Sequence, residues 1–139
     1  MLFKVTADLT LERLQAQAYI DKQTGDARGL FLTLAPGQAA VYAQKRREAQ
    51  LIVADRQQGA NVPEGETPHI TVEATENGVS RFEKAVEILT RDQHWKVGSQ
   101  MIEALRRSAK AALAAAKTAS EIRAACEIDW QAVRAYAHF

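Results

Sequence analysis

Apolar residues recur at three- and four-residue steps in two stretches of the chain, separated by a polar segment in which they thin out. That spacing is helical, because positions three and four apart share one face of a 3.6-residue turn. A first helix is predicted to begin after Asp8, whose carboxylate accepts from the free N–H groups of the first turn. Its expected buried face is Leu11, Leu14 and Ala18. Gly25 and Gly29, four residues apart, predict close backbone approach or a bend. Ala35-Pro36-Gly37 is the strongest turn signal and is expected to fold a second helix, over 37–56, back on the first as an antiparallel hairpin. Tyr42, Ala49 and Ile52 give that helix its inner stripe, with Lys45 snorkelling between them.

Residues 57–69 contain Gly59, Asn61, Pro63, Gly65 and Pro68, which cannot continue a helix. This segment predicts a loop with little to bury, and the stretch most open to proteolysis, starting at Arg56. Residues 70–75 read as one helical turn, although Ile70 and Val72 alternate as in a strand. Ser80 and Glu83 then form a capping box, in which each side chain satisfies a free N–H near the other. A long helix follows on an apolar line of Phe82, Val86, Leu89, Trp95, Gly98, Ile102, Leu105, Ala109, Ala112 and Ala116. Such near-heptad spacing favours helices packed nearly parallel. Unbroken to Lys117 the helix spans about 55 Å at ~1.5 Å per residue, with Gly98 the expected kink. Thr118 and Glu121 form a second capping box, and Asp129 is placed to cap a last turn over 130–136. The pattern as a whole predicts an all-α single domain, 1–139. It divides into a helical hairpin (1–56), a polar connector (57–79) and a C-terminal helical block (80–139) with a long helix and a short terminal one.

Composition thins this core further. Apolar residues make up 47% of 139 but aromatic residues only 6%, and alanine supplies much of the rest. Alanine favours helix and close helix approach while burying little surface, so part of the stability is expected from partners. The formal net charge of +1 drives the chain toward neither nucleic acid nor acidic membranes. One cysteine, Cys126, excludes an internal disulfide and suits a reducing compartment. Met1-Leu2-Phe3-Lys4-Val5 is too short for a signal sequence, and no apolar run is long enough to span a bilayer.

Candidate chemistry is sparse. His69, His94 and His138 lack the spacing that brings two imidazoles onto one metal ion, and the Arg91–His94 and Arg134–His138 pairs have no evident acid–base partner. Cys126 sits among Ala124, Ala125 and Ile128, the setting of a buried, inert thiol. Lys45-Arg46-Arg47 and Arg106-Arg107 with Lys110 are interleaved with Glu48 and Glu103, as on solvated helix faces laced with ion pairs. No catalytic residue, metal ligand, cofactor or small-molecule substrate is expected. Trp95 and Trp130 are candidates for core anchors or for docking onto another subunit, since Trp is enriched at binding hot spots.

Several of these residues recur together in a known layout. A turn read as Ala35-Pro36-Gly37-Gln38, then Tyr42, Lys45 and Glu48-Ala49, precedes a variable polar linker. After it come Ala85 and Ile88, then Trp95, Gly98, Ile102-Glu103, Arg106, Ala109-Lys110, Ala115, Thr118 and Glu121-Ile122. In order and approximate spacing this resembles small phage tail-associated proteins, linked to tail fibre, tail tip or baseplate. Residues 60–75 are richer in charge and Thr than that pattern, and 130–139 extend beyond it. The resemblance implies a non-enzymatic structural component of a phage tail, carried in the virion and made in the bacterial host cytoplasm. It further implies partners among other tail proteins and a homo-oligomer, with a trimer favoured. Trp95, Ile102, Leu105, Ala109 and Trp130 are the expected interface. A tail-assembly chaperone is the alternative within phage biology, and a small helical nucleic-acid-binding regulator the alternative outside it.

Overall fold

The structure, a computed structural model, describes residues 8–33 and 35–138; the N-terminal stretch read against a signal sequence lies outside them. All regular structure among the described residues is helical: α1 (Thr10–Arg28), α2 (Gln38–Ala54), a 3-10 turn (Glu64–Glu66), α3 (Pro68–Asn77), α4 (Arg81–Ala115), α5 (Ala119–Ala125) and α6 (Gln131–Ala137). None of these helices is long and apolar enough to cross a membrane.

Local capping sets most of the boundaries. Thr10 N–H donates to Asp8 Oδ1 at 2.9 Å, and Gln131 N–H to Asp129 Oδ1 at 3.0 Å. Ser80 N–H donates to Glu83 Oε2 at 3.1 Å while Glu83 N–H donates to Ser80 Oγ at 3.0 Å, a complete capping box. At the second box Glu121 N–H donates to Thr118 Oγ1 at 3.1 Å, and the Glu121 carboxylate reaches back to Lys117 N–H at 2.6 Å. Gly37 enters α2 with φ +83, a left-handed conformation that suits glycine at the Pro-Gly turn.

Contacts divide the chain into two compact units, Met1–Leu32 with Gly98–Phe139 and Thr33–Val97, a partition that interleaves the blocks read from the sequence. In the first unit α1 packs on the C-terminal half of α4 and on α5. Ala16 and Ile20 of α1 are buried with Ala109, Leu113 and Ala116 of α4 and with Ile122 and Ala125 of α5. The expected face of α1, with Leu11, Leu14 and Ala18, is not the buried one. Leu11 and Leu14 are 62% and 58% exposed, and Ala16, Ile20, Thr24 and Ala27 turn inward in their place. Two physical reasons select that face. Small residues at 16 and 27 let α1 approach the alanine surface of α4 closely. Polar groups on the same side also lock the rotation: Arg13 donates to the carbonyls of Leu113 (2.9 Å), in the last turn of α4, and of Ala116, just beyond it, and Arg28 pairs with Glu103 at 2.7 Å. Asp21 pairs with Lys110 at 3.0 Å.

Gly98, the expected kink, lies inside the 35-residue helical run of α4. Its missing side chain makes room for the Phe31 ring, which would overlap any Cβ built there. Of the stripe expected on this helix, Gly98, Ile102, Ala109 and Ala116 are buried, whereas Val86 and Ala112 are exposed and Leu113 takes the inward place of Ala112.

In the second unit α2, α3 and the N-terminal half of α4 enclose Ala49, Ile52, Ile70 and Ala85, flanked by Phe82, Ile88 and Leu89. Each fully buried isoleucine contributes about 1.5–3 kcal/mol. Residues 70–75 lie within a helix of ten residues that Pro68 opens and Gly78 closes in the left-handed conformation.

Candidate interaction surfaces

Glu48 is the least expected side chain in the second unit. It sits on the inner face of α2, fully buried. Its Oε1 accepts from His69 N–H at 2.8 Å and Ile70 N–H at 3.1 Å, and its Oε2 lies 2.8 Å from His69 Nδ1 and 3.2 Å from Gln44 Nε2. A carboxylate from one helix thereby caps the first turn of another, where the free N–H groups and the helix dipole favour negative charge. Read along the chain, Glu48 only interrupts a basic run, and nothing local marks it as buried.

The connector corrects the expectation of a loop with nothing to hold it. Arg81, the first residue of α4, donates to Thr67 Oγ1 (2.8 Å), Gly59 O (2.7 Å) and Val62 O (2.8 Å). Asp55 accepts from Gly59 N–H at 2.9 Å, Asn61 N–H at 3.2 Å and Asn61 Nδ2 at 2.9 Å. The Asn61 side chain foremost, with the backbone donors, holds the Asp55 carboxyl below its usual range. Thr67 and Gly59 are buried. The segment is thus ordered by polar side chains binding its own backbone, which apolar content does not report.

The basic clusters are engaged within the chain. Lys45 pairs with Glu73, Arg46 with Asp92 at 3.4 Å, Arg106 with Asp21 (3.7 Å) and Glu103 (3.6 Å), and Lys110 with Asp21. That pattern matches the solvated-face reading more closely than a cationic platform for nucleic acid. Among the described residues no three of His, Cys, Asp or Glu converge to hold a metal ion. A shallow, open hollow beside α3 is lined by Pro68, His69, Val72, Glu73 and Glu76. Cys126 is half-buried with its Sγ 3.9 Å from Ala16 O, and burial pushes its thiol up.

Of the five residues expected at a partner interface, Ile102, Ala109 and Trp130 are buried within the chain itself, at 0%, 7% and 8% exposure. Trp130 donates from Nε1 to Gln23 Oε1 at 3.0 Å, and Gln23 donates in turn to Cys126 O at 2.9 Å. Their apolar surface is already covered. Trp95 and Leu105 are half-buried. The uncovered apolar surface lies elsewhere, on α1. Leu11, Leu14 and Ala18 form a line on the side of the helix opposite Ala16, Ile20 and Ala27, with Tyr19, 53% exposed, at its edge. Three- and four-residue spacing could have flagged this line, and did; its burial could not be told from a second apolar line on the other face.

No known protein family, curated protein or solved structure matched the chain.

Proposed function

We propose that the chain is a non-enzymatic structural component of a phage tail, at the tail tip, baseplate or fibre attachment, made in the host cytoplasm and carried in the virion. The observation that carries this reading is the outward apolar line Leu11–Leu14–Ala18, on a helix whose opposite face is already committed to the core. Large side chains left open in a row on one helix face mark a site of protein contact. The residues that carry the resemblance to tail-associated proteins fit the same reading, because their contacts are architectural. Pro36 and Gly37 turn the chain, Glu48 caps α3, Gly98 admits Phe31, Glu103 and Lys110 fix α1, and Thr118 with Glu121 restarts the helix. A motif made of such positions specifies a shape to be docked.

The test is mass spectrometry of purified particles beside the infected lysate. Stoichiometric presence in particles is the expected result. Presence in lysate but never in particles would overturn the structural role in favour of a tail-assembly chaperone, which would use the same line on a client and then leave.

A further inference from the structure

We propose that Asn77 is a site of spontaneous deamidation gated by the last turn of α3, its carboxamide being attacked by the backbone nitrogen of Gly78. Asn77 ends α3, and both it and Gly78 are exposed. The nucleophile is unhindered, because Gly78 has no side chain and the space where a Cβ would stand is open. The reaction balances with water as its one co-reactant. Hydroxide takes the Gly78 amide proton, the N–Cγ bond forms, and the Cγ–Nδ2 bond breaks to release ammonia. Water then opens the resulting five-membered imide at either carbonyl. Breaking the new N–Cγ bond leaves aspartate; breaking the original peptide bond leaves an isoaspartyl linkage through the side chain. No group is oxidised or reduced.

The fold holds this reaction back without abolishing it. Gly78 N–H donates to Thr75 O at 3.3 Å and Val79 N–H to Ala74 O at 3.0 Å, the paired bonds of a Schellman close. Ring closure needs the first of these broken and Asn77 out of its helical angles. It therefore proceeds from the frayed end of α3, an opening of low cost. The product opposes the return of that turn. The second half of α3 carries Glu73 and Glu76, and its last turn has no basic residue. A new carboxylate at position 77 thus meets the negative end of the helix with no cation in that turn to offset it. The isoaspartyl form also adds a methylene to the main chain just ahead of the Ser80–Glu83 capping box, moving the Gly78 and Val79 amides out of register with their acceptors. Asn61, the only other asparagine, supplies the contrast. Its Nδ2 is tied to Asp55 Oδ1 at 2.9 Å, and the β-branched Val62 that follows it crowds the attacking nitrogen.

Incubation of the full chain at mildly alkaline pH, with peptide mapping over time, tests this. Trypsin cuts at Arg56 and Arg81 and returns both asparagines on one peptide, 57–81. Fragmentation of that peptide assigns the amide-to-acid mass change, and electron-transfer cleavage tells isoaspartate from aspartate. Conversion at Asn77 is expected ahead of Asn61, at a folded-state rate about two- to tenfold below that in denaturant. Asn77→Asp, which supplies the added charge directly, should speed hydrogen exchange at Gly78 and Val79 about two- to fivefold. Conversion of Asn77 no faster than that of Asn61 would overturn the site. A folded rate equal to the denatured one, or unchanged exchange in Asn77→Asp, would overturn its coupling to α3.

Discussion

The Glu48 carboxylate and His69 are joined twice, through the His69 backbone N–H and through its ring Nδ1, both at 2.8 Å. One residue of α2 thereby fixes where α3 begins. Glu48→Ala would leave His69 N–H and Ile70 N–H without acceptors in a buried site, at a cost of about 2–4 kcal/mol. Glu48→Gln keeps an oxygen for both amides and should lose about half as much. Urea unfolding followed by circular dichroism measures the two, and equal losses would show that the charge, not the cap, matters.

Arg81 is the anchor of the connector, and its removal should be read there. Arg81→Gln replaces charge-assisted bonds to Gly59, Val62 and Thr67, each of a class worth about 1.5–3 kcal/mol. Local opening should rise at least about tenfold, and tryptic cleavage after Arg56 should accelerate to match. The unsubstituted connector should resist trypsin at low protease concentration. Unchanged cleavage in Arg81→Gln would mean that Asp55 alone holds the segment.

Gly98 and Phe31 form a lock in which one side chain fills the place of another. Gly98→Ala should destabilise the chain by about 1–3 kcal/mol even though alanine is the better helix former, because the ring must move. Thermal unfolding of Gly98→Ala, Phe31→Ala and the double variant forms a cycle, and the double should cost clearly less than its singles combined.

Burial holds the Cys126 thiol protonated above its ordinary range. At neutral pH alkylation by iodoacetamide should be slower in the folded chain than in the same chain in denaturant. The folded state binds this proton more tightly than the unfolded state. Its contribution to stability is therefore full below the ordinary thiol range and lost as pH climbs through that range toward the folded value. A native alkylation rate equal to the denatured one would contradict the burial.

What the sequence discloses is what side chains do to their own backbone. Asp8, Ser80 with Glu83, Thr118 with Glu121, and Asp129 all act within four residues, and each begins a helix where its spacing says. The helical class and the long α4 follow from the same local signals together with periodicity. Contacts that join distant residues are illegible by those means. Glu48 reaches α3 over about twenty residues, Arg81 reaches back to Gly59, and Phe31 finds Gly98, with no periodic trace in any case. For the candidate surface, spacing found Leu11, Leu14 and Ala18 but assigned them inward, since a helix with two apolar lines gives the same signal for either. Along α4 it placed Ile102 and Ala109 on the apolar stripe and expected them at a partner interface, and both are buried within the chain.

Two apolar lines on opposite sides of α1 leave its rotation undecided by hydrophobicity. A half-turn about its own axis would bury Leu11 and Leu14 and expose Ile20. The hydrogen bonds and ion pairs of Arg13, Asp21 and Arg28 therefore act as an orientation code for a helix that oil-like forces alone would seat in two ways. Strip those three charges and the consequence is ambiguity more than unfolding: two seatings in exchange, broadened amide resonances along α1, and a contact line shown to solvent only part of the time.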